Sequence, residues 1–357
     1  MTEQFKKTTI GILGGGQLGR MLSLAATNMG YEIITYTLKN GEQAPAQSVS
    51  SKIIYAEFDD KKQLNEFAKE CDIVTFEFEN IPAETVKLLE SKTIVRPNSS
   101  AIYNTQHRLR ERNFLKENKF PTHKFWEIKT ATDIEKAFKN KLQKAVLKTA
   151  AFGYDGKGQR IIKKGEDYKK VWEECKFGLA VLEEFIPFEK EISVVLARGV
   201  KGDIETFPIG QNIHKDGILK TSIIPAKISA ATKKQAIDVA SKIAKKLDYI
   251  GVMAVEFFVL KNGKILVNEI APRVHNSGHY TQDACNVSQF TQHIRAICGL
   301  PLIKPTLVYK KAKMENLIGD DIFLVEKYLK QSNARVHLYG KTEVKQNRKM
   351  GHVNFVG

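Results

Sequence analysis

Strand-like and helix-like stretches alternate along the first hundred residues. The apolar runs that are typical of buried strands are TTIGIL, YEIITYTL, KIIYAEF and DIVTFEF. The segments with helical spacing are GQLGRMLSLAATNMG, KQLNEFAKEC and AETVKLLES. Because strands that alternate with helices pair in parallel, this part of the chain is predicted to be an α/β domain whose parallel sheet is covered on both faces.

The alternation stops after about residue 104. A helical stretch, NTQHRLRERNFLKENK, ends before Pro121, and antiparallel strands dominate from residue 180 to 270 around one long helix, TKKQAIDVASKIAKKLD. After Pro301 the pattern becomes irregular. The sequence therefore predicts an α+β region that follows the α/β domain along the chain, and then a small irregular segment after Pro301.

Composition narrows the class of protein. Hydrophobic residues make up 42% and charged residues 27% of the 357 residues, which excludes disordered, collagen-like and fibrous chains. The four cysteines lie far apart without a C-x-x-C pair, so a disulfide framework and a zinc ribbon are both disfavoured. No apolar run approaches the ~18 residues of a membrane span. We expect a cytoplasmic protein that binds no membrane.

The formal net charge of +16 does not indicate a nucleic-acid partner. Proteins that bind nucleic acids concentrate Lys and Arg on one face, whereas the lysines here are scattered and interleaved with acids, as in KKGEDYKKVWEECK. A solvated, lysine-rich surface is therefore favoured. Such a charge still raises the local concentration of anionic small molecules.

Gly14, Gly16 and Gly19 form a G-x-G-x-x-G motif between the first predicted strand and the first helix. In dinucleotide-binding folds these glycines let a pyrophosphate approach the helix N-terminus. A nicotinamide site also requires an acidic residue about 20 residues further on. The second strand ends at Tyr36, Thr37 and Leu38 without a carboxylate. A tight turn that touches a substrate phosphate is favoured over an NAD site.

A second glycine-rich segment, LKTAAFGYDGKGQRII, lies between two predicted strands. Its turn contains Gly153, Gly156 and Gly158, with Lys157 at the tip and Lys148 on the preceding strand. The backbone N–H groups of such a turn can bind phosphates, and the lysines supply charge. The segment does not match a P-loop. We interpret it as a phosphate-binding loop, with a plain hairpin as the alternative.

Two glutamates are predicted to face each other across a hairpin. GVMAVEFFVLKNGKILVNEIAPR contains two strands joined by Asn262-Gly263, a dipeptide that favours a two-residue type I′ turn. In that register Lys261 faces Lys264 and Glu256 faces Glu269. Opposed like charges destabilise a sheet, and the apolar neighbours of Glu256 increase the penalty. Because a divalent cation removes this conflict, the hairpin is predicted to bind Mg²⁺ together with substrate phosphates.

Two further segments have residues suited to a ligand. The strand GLAVLEEFIP ends at a proline, where exposed backbone groups can bind an adenine edge, and Glu191 follows for the ribose hydroxyls. His214, in NIHKDGIL, is typical of a surface histidine. Arg273, His275 and His279 crowd in APRVHNSGH behind the hairpin, which predicts a reactive loop. A zinc site from the two histidines would lack a third ligand of suitable spacing.

These segments resemble the ATP-grasp superfamily and, within it, the 5-(carboxyamino)imidazole ribonucleotide synthetases of purine biosynthesis. The matching motifs are GILGGGQLGRML, FEFENIP, GYDGKGQ, EEFI, HKDGIL, GVMAVEFF, NEIAPRVHNSGHYT and KMGH, which cover nearly the whole chain. The resemblance implies a Rossmann-like domain at 1–104, an ATP-grasp domain at 105–300 with a lid subdomain at about 122–184, and a small C-terminal domain at 301–357.

The resemblance also implies an ATP-dependent carbon–nitrogen ligase. ATP and bicarbonate would carboxylate the exocyclic amine of 5-aminoimidazole ribonucleotide through a carboxyphosphate intermediate, which gives 5-(carboxyamino)imidazole ribonucleotide, ADP and phosphate. Mg²⁺, or Mn²⁺ in its place, and a homodimer are implied as well. The alternative is another ATP-grasp ligase, such as a formate-dependent glycinamide ribonucleotide transformylase, which shares the ATP half of the site.

Carried onto this chain, the family's functional residues form four groups. The ATP contacts are Arg108, Lys148, Gly153, Tyr154, Asp155, Gly156, Lys157, Gly158, Gln159, Glu183, Glu184, Phe185, Ile186, Glu191, His214, Asn268 and Glu269. The metal ligands are Glu256 and Glu269. The contacts to the aminoimidazole ribonucleotide are Glu77 or Glu79, Asp155, Lys157, Arg273, His275, Lys341 and Arg348. The catalytic residues are Asp155, Arg273 and His275, and either Asp155 or His275 would accept the amine proton. Asn347 stands where the family pattern has a glycine before Arg348.

Overall fold

The structure of the chain, a computed structural model, describes residues 8–39, 43–139, 142–151 and 158–357. These residues form sheets of five, four and nine strands. Part of the predicted phosphate-binding loop, namely Gly153, Tyr154, Asp155, Gly156 and Lys157, lies outside the described residues.

The first sheet confirms the predicted parallel α/β domain. Its strands are β1 (Thr9–Leu13), β2 (Glu32–Thr37), β3 (Lys52–Tyr55), β4 (Ile73–Phe76) and β5 (Ile94–Val95). They run parallel in the order β3-β2-β1-β4-β5. The helices of this domain are α1 (Gln17–Asn28), α2 (Lys61–Glu70) and α3 (Ala83–Glu90). Because helices cover both faces, the central strands are mostly apolar, and Ile12 and Val74 are fully buried.

Two helices and a four-stranded antiparallel sheet follow. The helices are α4 (Ser99–Thr105) and α5 (Arg108–Glu117). The strands are β6 (Phe125–Ile128), β7 (Lys144–Thr149), β8 (Gln159–Lys163) and β9 (Ala180–Glu184), in the order β6-β9-β7-β8. Two more helices, α6 (Ala131–Lys139) and α7 (Tyr168–Cys175), share an apolar core with this sheet. The predicted phosphate-binding segment joins β7 to β8.

The remaining strands form one nine-stranded sheet. They are β10 (Lys190–Arg198), β11 (Ile204–Thr206), β12 (Gly210–Lys215), β13 (Ile218–Ile224), β14 (Gly251–Val259), β15 (Ile265–Ala271), β16 (Ala312–Ile318), β17 (Ala334–Leu338) and β18 (Lys349–Val356). The order is β15-β14-β10-β12-β13-β16-β18-β17, with β11 paired to β10. The helices of this region are α8 (Ala230–Lys246), α9 (Thr281–Ala284), α10 (Gln289–Ile297) and α11 (Val325–Leu329). Short 3₁₀ helices occur at Gln47–Val49, Asn276–Gly278 and Gly319–Leu324.

The expectation that the chain is irregular after Pro301 is wrong. β16 pairs with β13, so the C-terminal segment continues the sheet of the middle segment. The strand signal is hidden because Asn316, His352 and Asn354 are fully buried and break the apolar alternation of β16 and β18. The division of the chain at residue 300 stays a prediction.

The predicted hairpin exists, but its turn differs from the expected two-residue turn. The loop has three residues and ends at Gly263, whose φ of +78° is in the left-handed region, and the Leu260 N–H donates to the Lys264 carbonyl. Lys261 therefore does not face Lys264. A bulge at Asn268 then restores the register, because Phe257 faces Val267 whereas Glu256 faces Glu269. The predicted glutamate pair is confirmed.

An apolar interface ties the first domain to the nine-stranded sheet. Met21 and Leu22 of α1 belong to the same buried cluster as Phe290 and Ile294 of α10, which packs against β14. This contact fixes the end of β4 near the β14–β15 hairpin. Among the described residues, none of the helices combines the length and the apolar character of a bilayer-spanning segment.

Candidate active site

A cavity of about 550 Å³ opens where the three sheets meet. The segment after β4 contributes Glu77 to its wall, β7 contributes Lys148, and β14 and β15 contribute Glu256 and Glu269. Residues that are far apart in the sequence thus line one space.

The fold brings most of the described site residues to this cavity. Those that line it are Glu77, Glu79, Arg108, Lys148, Gln159, Phe185, Glu191, His214, Glu256, Asn268, Glu269, Arg273 and His275. Those described residues of the prediction that do not line it are Gly158, Glu183, Glu184, Ile186, Lys341 and Arg348. The role of each residue toward a ligand stays a prediction.

Two opposed carboxylates line the cavity, and Glu269 is the more exposed of the two. Glu256 and Glu269 are paired across β14 and β15, and the Glu256 side chain is only 14% exposed. Burial first, and then the charge of Glu269, raise the pKa of Glu256 to about 7. A divalent cation between the two carboxylates would reverse this shift, so the donor set fits Mg²⁺. Among the described residues, no group of three or more His, Cys, Asp or Glu side chains is arranged to hold a metal ion.

Two histidines flank the Glu256 carboxylate. His214 Nδ1 lies 2.6 Å from Glu191 Oε2. Burial opposes the charged form of His214, but this bond and the charge of Glu256 outweigh it and raise its pKa. His275 Nε2 lies 3.5 Å from Glu256 Oε1, and its Nδ1 lies 2.8 Å from Ser277 Oγ. Burial, followed by the charges of Arg273 and Lys349, lowers the pKa of His275 well below its usual value, so this imidazole is neutral near pH 7.

The glycine motif after β1 holds a protein carboxylate. The N–H groups of Gly16 and Gly19, at the N-terminus of α1, donate to the two oxygens of Glu77, each at 2.5 Å. A Cβ at Gly14 would lie 2.4 Å from Glu77 Cγ, and one at Gly16 would lie 2.6 Å from Glu77 Oε1. Glu77 thus occupies the place that a pyrophosphate takes in a dinucleotide site, and it requires glycine at these positions. This geometry argues further against an NAD site.

Glu79 forms a bidentate pair with Arg273. Arg273 Nη2 donates to Glu79 Oε1 at 2.9 Å, and Arg273 Nε donates to Glu79 Oε2. Burial works against the charge of Glu79, but Arg273 outweighs it and holds the pKa of this carboxyl below its usual value. Because the partners belong to the first and the third sheet regions, the pair fixes one side of the cavity across the domain boundary.

Lys148 lines the cavity, and a buried cluster of charged side chains holds it in place. Lys148 Nζ lies 2.6 Å from Glu183 Oε2, and Glu183 Oε1 accepts a bond of 2.7 Å from Arg112 Nε. His123 Nε2 is 3.2 Å from the same Glu183 carboxylate. Burial would raise the pKa of Glu183, but Arg112 and Lys148 outweigh it and keep the pKa well below its usual value. The Glu183 side chain therefore positions Lys148 rather than lining the cavity.

The outer part of the cavity has apolar walls from two sheets. Val146, Ile161 and Phe185 lie on the side of the four-stranded sheet, and Leu219 and Phe258 lie on the side of the nine-stranded sheet. Such a slot suits a flat aromatic base. The N–H groups of Glu184 and Phe185 already donate to the carbonyls of Lys124 and Lys144, so these two donors are used by the sheet.

The C-terminal strands add a cation that the sequence analysis missed. Lys349, at the start of β18, lines the cavity. Lys341 lies behind it, with Nζ donating to the Lys349 carbonyl at 2.7 Å, and Arg348 Nη1 donates to the Glu343 carbonyl at 2.9 Å. Asn347 has a φ of +65°, a left-handed conformation that asparagine tolerates better than most residues. This explains why asparagine can stand where the family pattern has glycine.

Other lining residues also escaped the sequence analysis. They are Gln17, Asn80 and Tyr339, whereas Asn276 and His279, which also line the cavity, belong to the loop APRVHNSGH that the sequence analysis predicted to be reactive. Gln17 and Asn80 lie within quoted motifs, and Tyr339 follows β17, a strand that the sequence pattern did not predict. A polar residue in or beside a motif gives no separate signal in the sequence. His279 Nδ1 contacts Gln289 Nε2 at 3.0 Å.

Comparison with known proteins places the chain in a family. Residues 7–106 match the ribonucleotide synthetase preATP-grasp domain, residues 113–290 the ATP-grasp domain, and residues 312–357 the phosphoribosylaminoimidazole carboxylase C-terminal domain. The N5-carboxyaminoimidazole ribonucleotide synthase of Brucella melitensis is 44% identical over 97% of this chain and 95% of its own length.

Solved structures agree with this assignment. A crystal structure of an N5-carboxyaminoimidazole ribonucleotide synthetase in complex with ADP has a TM-score of 0.94 at 40% identity and covers 98% of this chain and 92% of that chain. The Aspergillus clavatus synthase in complex with ADP and 5-aminoimidazole ribonucleotide has a TM-score of 0.91 at 28% identity, with 98% and 94% covered. The chain belongs to the family of N5-carboxyaminoimidazole ribonucleotide synthases, which are ATP-grasp ligases.

Proposed function

We propose that this protein uses ATP and bicarbonate to carboxylate the exocyclic amine of 5-aminoimidazole ribonucleotide in purine biosynthesis, which yields 5-(carboxyamino)imidazole ribonucleotide, ADP and phosphate. The observation that carries the proposal is the opposed pair Glu256 and Glu269 in one cavity with Lys148 and the Arg273–Glu79 pair. The two glutamates and Lys148 suit a nucleoside triphosphate with its cation. The Arg273–Glu79 pair suits a second substrate beside it. The relatives' names and complexes support the same reaction.

ATP would lie along the side of the four-stranded sheet. Its adenine fits between the apolar walls near Phe185 and Phe258, with Glu191 and His214 close to the ribose. Lys148 would face the phosphates, together with Arg108, Gln159 and the loop segment 153–157. Glu183 holds Lys148 from behind, so its contribution to ATP binding is indirect.

Mg²⁺, or Mn²⁺ in its place, would be held by Glu256 and Glu269 together with ATP phosphate oxygens. The buried Glu256 carboxylate with its raised pKa supports this assignment, because it faces a like charge that a cation would neutralise. When bound, the ion would supply charge neutralisation for phosphoryl transfer.

The second substrate would occupy the end of the cavity near the first domain. Arg273 and Glu79 lie there as a half-buried pair, with the Glu77 carboxylate fixed beside them. The phosphate of the aminoimidazole ribonucleotide would be bound by Lys341 and Arg348 of the C-terminal segment, and Lys349 is a further candidate because it lines the cavity. Asp155 and Lys157 belong to the same proposed set.

The chemistry proceeds through activation of bicarbonate. Bicarbonate oxygen attacks the γ-phosphorus of ATP, which breaks the bond to ADP and forms carboxyphosphate. The exocyclic amine then attacks the carboxyl carbon, phosphate leaves, and the amine loses one proton. His275 is a candidate acceptor because its neutral imidazole lies in the cavity, and Asp155 is the other candidate.

A cytoplasmic homodimer is also part of the proposal. The family resemblance supports the homodimer, and the reduced state of the cysteines supports the compartment, because all four are free thiols in the structure. Sedimentation equilibrium at micromolar concentration tests the oligomeric state, and a monomer there would contradict it.

The function is tested by ADP release with each nucleotide substrate in turn. We expect ADP formation that requires both 5-aminoimidazole ribonucleotide and bicarbonate, with one ADP formed for each amine carboxylated. Stimulation by glycinamide ribonucleotide with formate instead would identify the alternative ligase. The Glu269→Gln variant, purified identically, controls for contaminating ATPases.

A further inference from the structure

Two neighbouring charged residues of α5 are buried against the strand that carries Glu269. Glu111 is 3% exposed and Arg112 is 2% exposed. Neither belongs to the predicted site, and neither lines the main cavity. Burying two ionisable side chains is costly unless each finds polar partners, so their contacts indicate what they do.

Both residues bind the main chain of β15, one on each side of Glu269. Arg112 Nη2 donates to the carbonyl oxygen of Asn268. Glu111 Oε2 accepts a hydrogen bond of 2.9 Å from the N–H of Ile270. The two side chains also contact each other, with Arg112 Nη1 3.5 Å from Glu111 Oε1. Glu269 is therefore flanked by two side-chain clamps from one helix.

This part of β15 needs such support for two reasons. β15 is the edge strand of the nine-stranded sheet, so its outward N–H and C=O groups face no further strand. It also contains the bulge at Asn268, where the pairing with β14 is interrupted. Farther along the same edge, the Val267 N–H donates to the Pro121 carbonyl at 2.8 Å. The segment from α5 to Pro121 thus replaces the missing neighbouring strand.

The clamp is connected to the cation on the opposite wall of the cavity. Arg112 Nε donates to Glu183, which binds Lys148. One guanidinium thereby bridges the strand of the proposed metal ligand and the carboxylate that holds the proposed phosphate-binding lysine. A lysine at position 112 would keep the positive charge, but a single ammonium group cannot reproduce the planar fork that reaches Glu183, Glu111 and Asn268 together.

We propose that Glu111 and Arg112 are positioning residues that fix the bulged edge of β15, and with it the Glu269 carboxylate, in the geometry that binds a divalent cation. The inference rests on the proposed function in one respect, namely that Glu269 is a metal ligand. It assigns no contact between Glu111 or Arg112 and the substrates, so their effect is on the site and not on the reacting atoms.

The test measures Mn²⁺ binding to the full chain at saturating ADP, from the loss of the free-ion electron paramagnetic resonance signal. Arg112→Lys and Glu111→Leu are expected to raise the dissociation constant for Mn²⁺ about tenfold. Glu111→Gln keeps an acceptor for the Ile270 N–H, so it is expected to stay within about threefold of the wild type. Phe114→Ala removes an uncharged buried side chain from the same helix and should lower the melting temperature without changing Mn²⁺ binding.

The outcomes separate this inference from the proposed function. Unchanged Mn²⁺ affinity in Arg112→Lys and Glu111→Leu would overturn it, and so would an equal loss in Phe114→Ala, because a general effect of helix stability would then suffice. If Arg112→Lys does not fold, the inference is tested by the Mn²⁺ affinities of Glu111→Leu and Glu111→Gln, and equal affinities would overturn it. If Glu269→Gln binds Mn²⁺ like the wild type, the metal assignment itself is wrong. If Glu269→Gln loses Mn²⁺ binding while the Glu111 and Arg112 variants keep it, only the positioning role is contradicted.

Discussion

Two acidic positions in the same cavity, both with a pKa raised chiefly by burial, find their partners in different ways. Glu77 accepts two backbone N–H groups from the N-terminus of α1, so the protein itself supplies its partners. Glu256 faces another carboxylate, Glu269, and its pKa is raised to about 7 by burial and by that neighbour. A carboxylate that the fold surrounds with donors orders its own loop, whereas one that faces a like charge indicates a place for a cation. The difference therefore separates an anchoring acid from a proposed metal ligand.

The strongest test of this contrast is Glu269→Gln. It should reduce turnover more than about a hundredfold, because a metal ligand that stabilises charge in phosphoryl transfer contributes several kcal/mol. The metal-free protein should fold normally and be slightly more stable, since the repulsion with Glu256 disappears. Steady-state ADP release and melting curves with and without Mg²⁺ and ADP measure both effects. Near-normal turnover at ordinary Mg²⁺ concentrations would refute the metal assignment.

Glu77→Ala should act in the opposite direction on stability. The variant leaves the N–H groups of Gly16 and Gly19 without their carboxylate, and each hydrogen bond to a charged group is worth about 1.5–3 kcal/mol. Because two such bonds are lost, the free energy of unfolding from urea titration should fall by about 3–6 kcal/mol. A stability equal to that of the wild type would show that the anchoring role of Glu77 is negligible.

The cations of the C-terminal segment form a third kind of site beside the cavity, where Lys349 lines the wall and Lys341 donates to the Lys349 carbonyl. Lys341→Ala and Arg348→Ala should each raise the Michaelis constant for the aminoimidazole ribonucleotide ten- to a hundredfold, equivalent to about 1.5–3 kcal/mol. ATP affinity measured without the second substrate should not change. The double variant should retain a slow bicarbonate-dependent ATPase. Equal losses in both affinities, or wild-type kinetics in both single variants, would contradict the assignment.

The smallest expected effect is a pH dependence of the metal-free protein. The native pKa of Glu256 is raised to about 7, above the ordinary glutamate value near 4.3, so the native state binds more protons than the unfolded state between these values. Stability therefore falls as the pH rises through this window, by an amount of order 1–3 kcal/mol from this group.

Glu256→Gln isolates this contribution. The difference in melting temperature between the variant and the wild type should be near zero at pH 4 and grow until about pH 7.5, then level off. Mg²⁺ with ADP should reverse the sign by stabilising the wild type alone. A difference that does not vary with pH would show that Glu256 is not the titrating group.

Much of the fold follows from the sequence because it depends on local periodicity. The alternation of apolar strands and amphipathic helices predicts the first parallel sheet, and the length of the apolar face predicts α8. The pattern also places Glu256 opposite Glu269, although the predicted turn is wrong. The three-residue loop ending at Gly263 shifts the register by one residue, and the bulge at Asn268 shifts it back.

The C-terminal strands show where periodicity is insufficient. β16 and β18 bury Asn316, His352 and Asn354, so polar residues occupy positions where a strand pattern requires apolar ones. These side chains find partners in distant segments, such as the bond from Asn354 Nδ2 to the Asp283 carboxylate at 2.6 Å. A buried polar residue can only be recognised once its partner is known.

The sequence by itself determined the order of strands and helices in the first domain, the motifs that identify the family, and the carboxylate pair, because each rests on neighbours along the chain or across one hairpin. Only the tertiary structure decided that Glu77 binds the glycine turn, that Lys349 lines the cavity, and that Glu111 and Arg112 grip the strand of Glu269. These contacts join residues tens to more than a hundred positions apart. They depend on how whole sheets pack, and hydrophobic periodicity specifies which face of an element is buried without specifying what it meets.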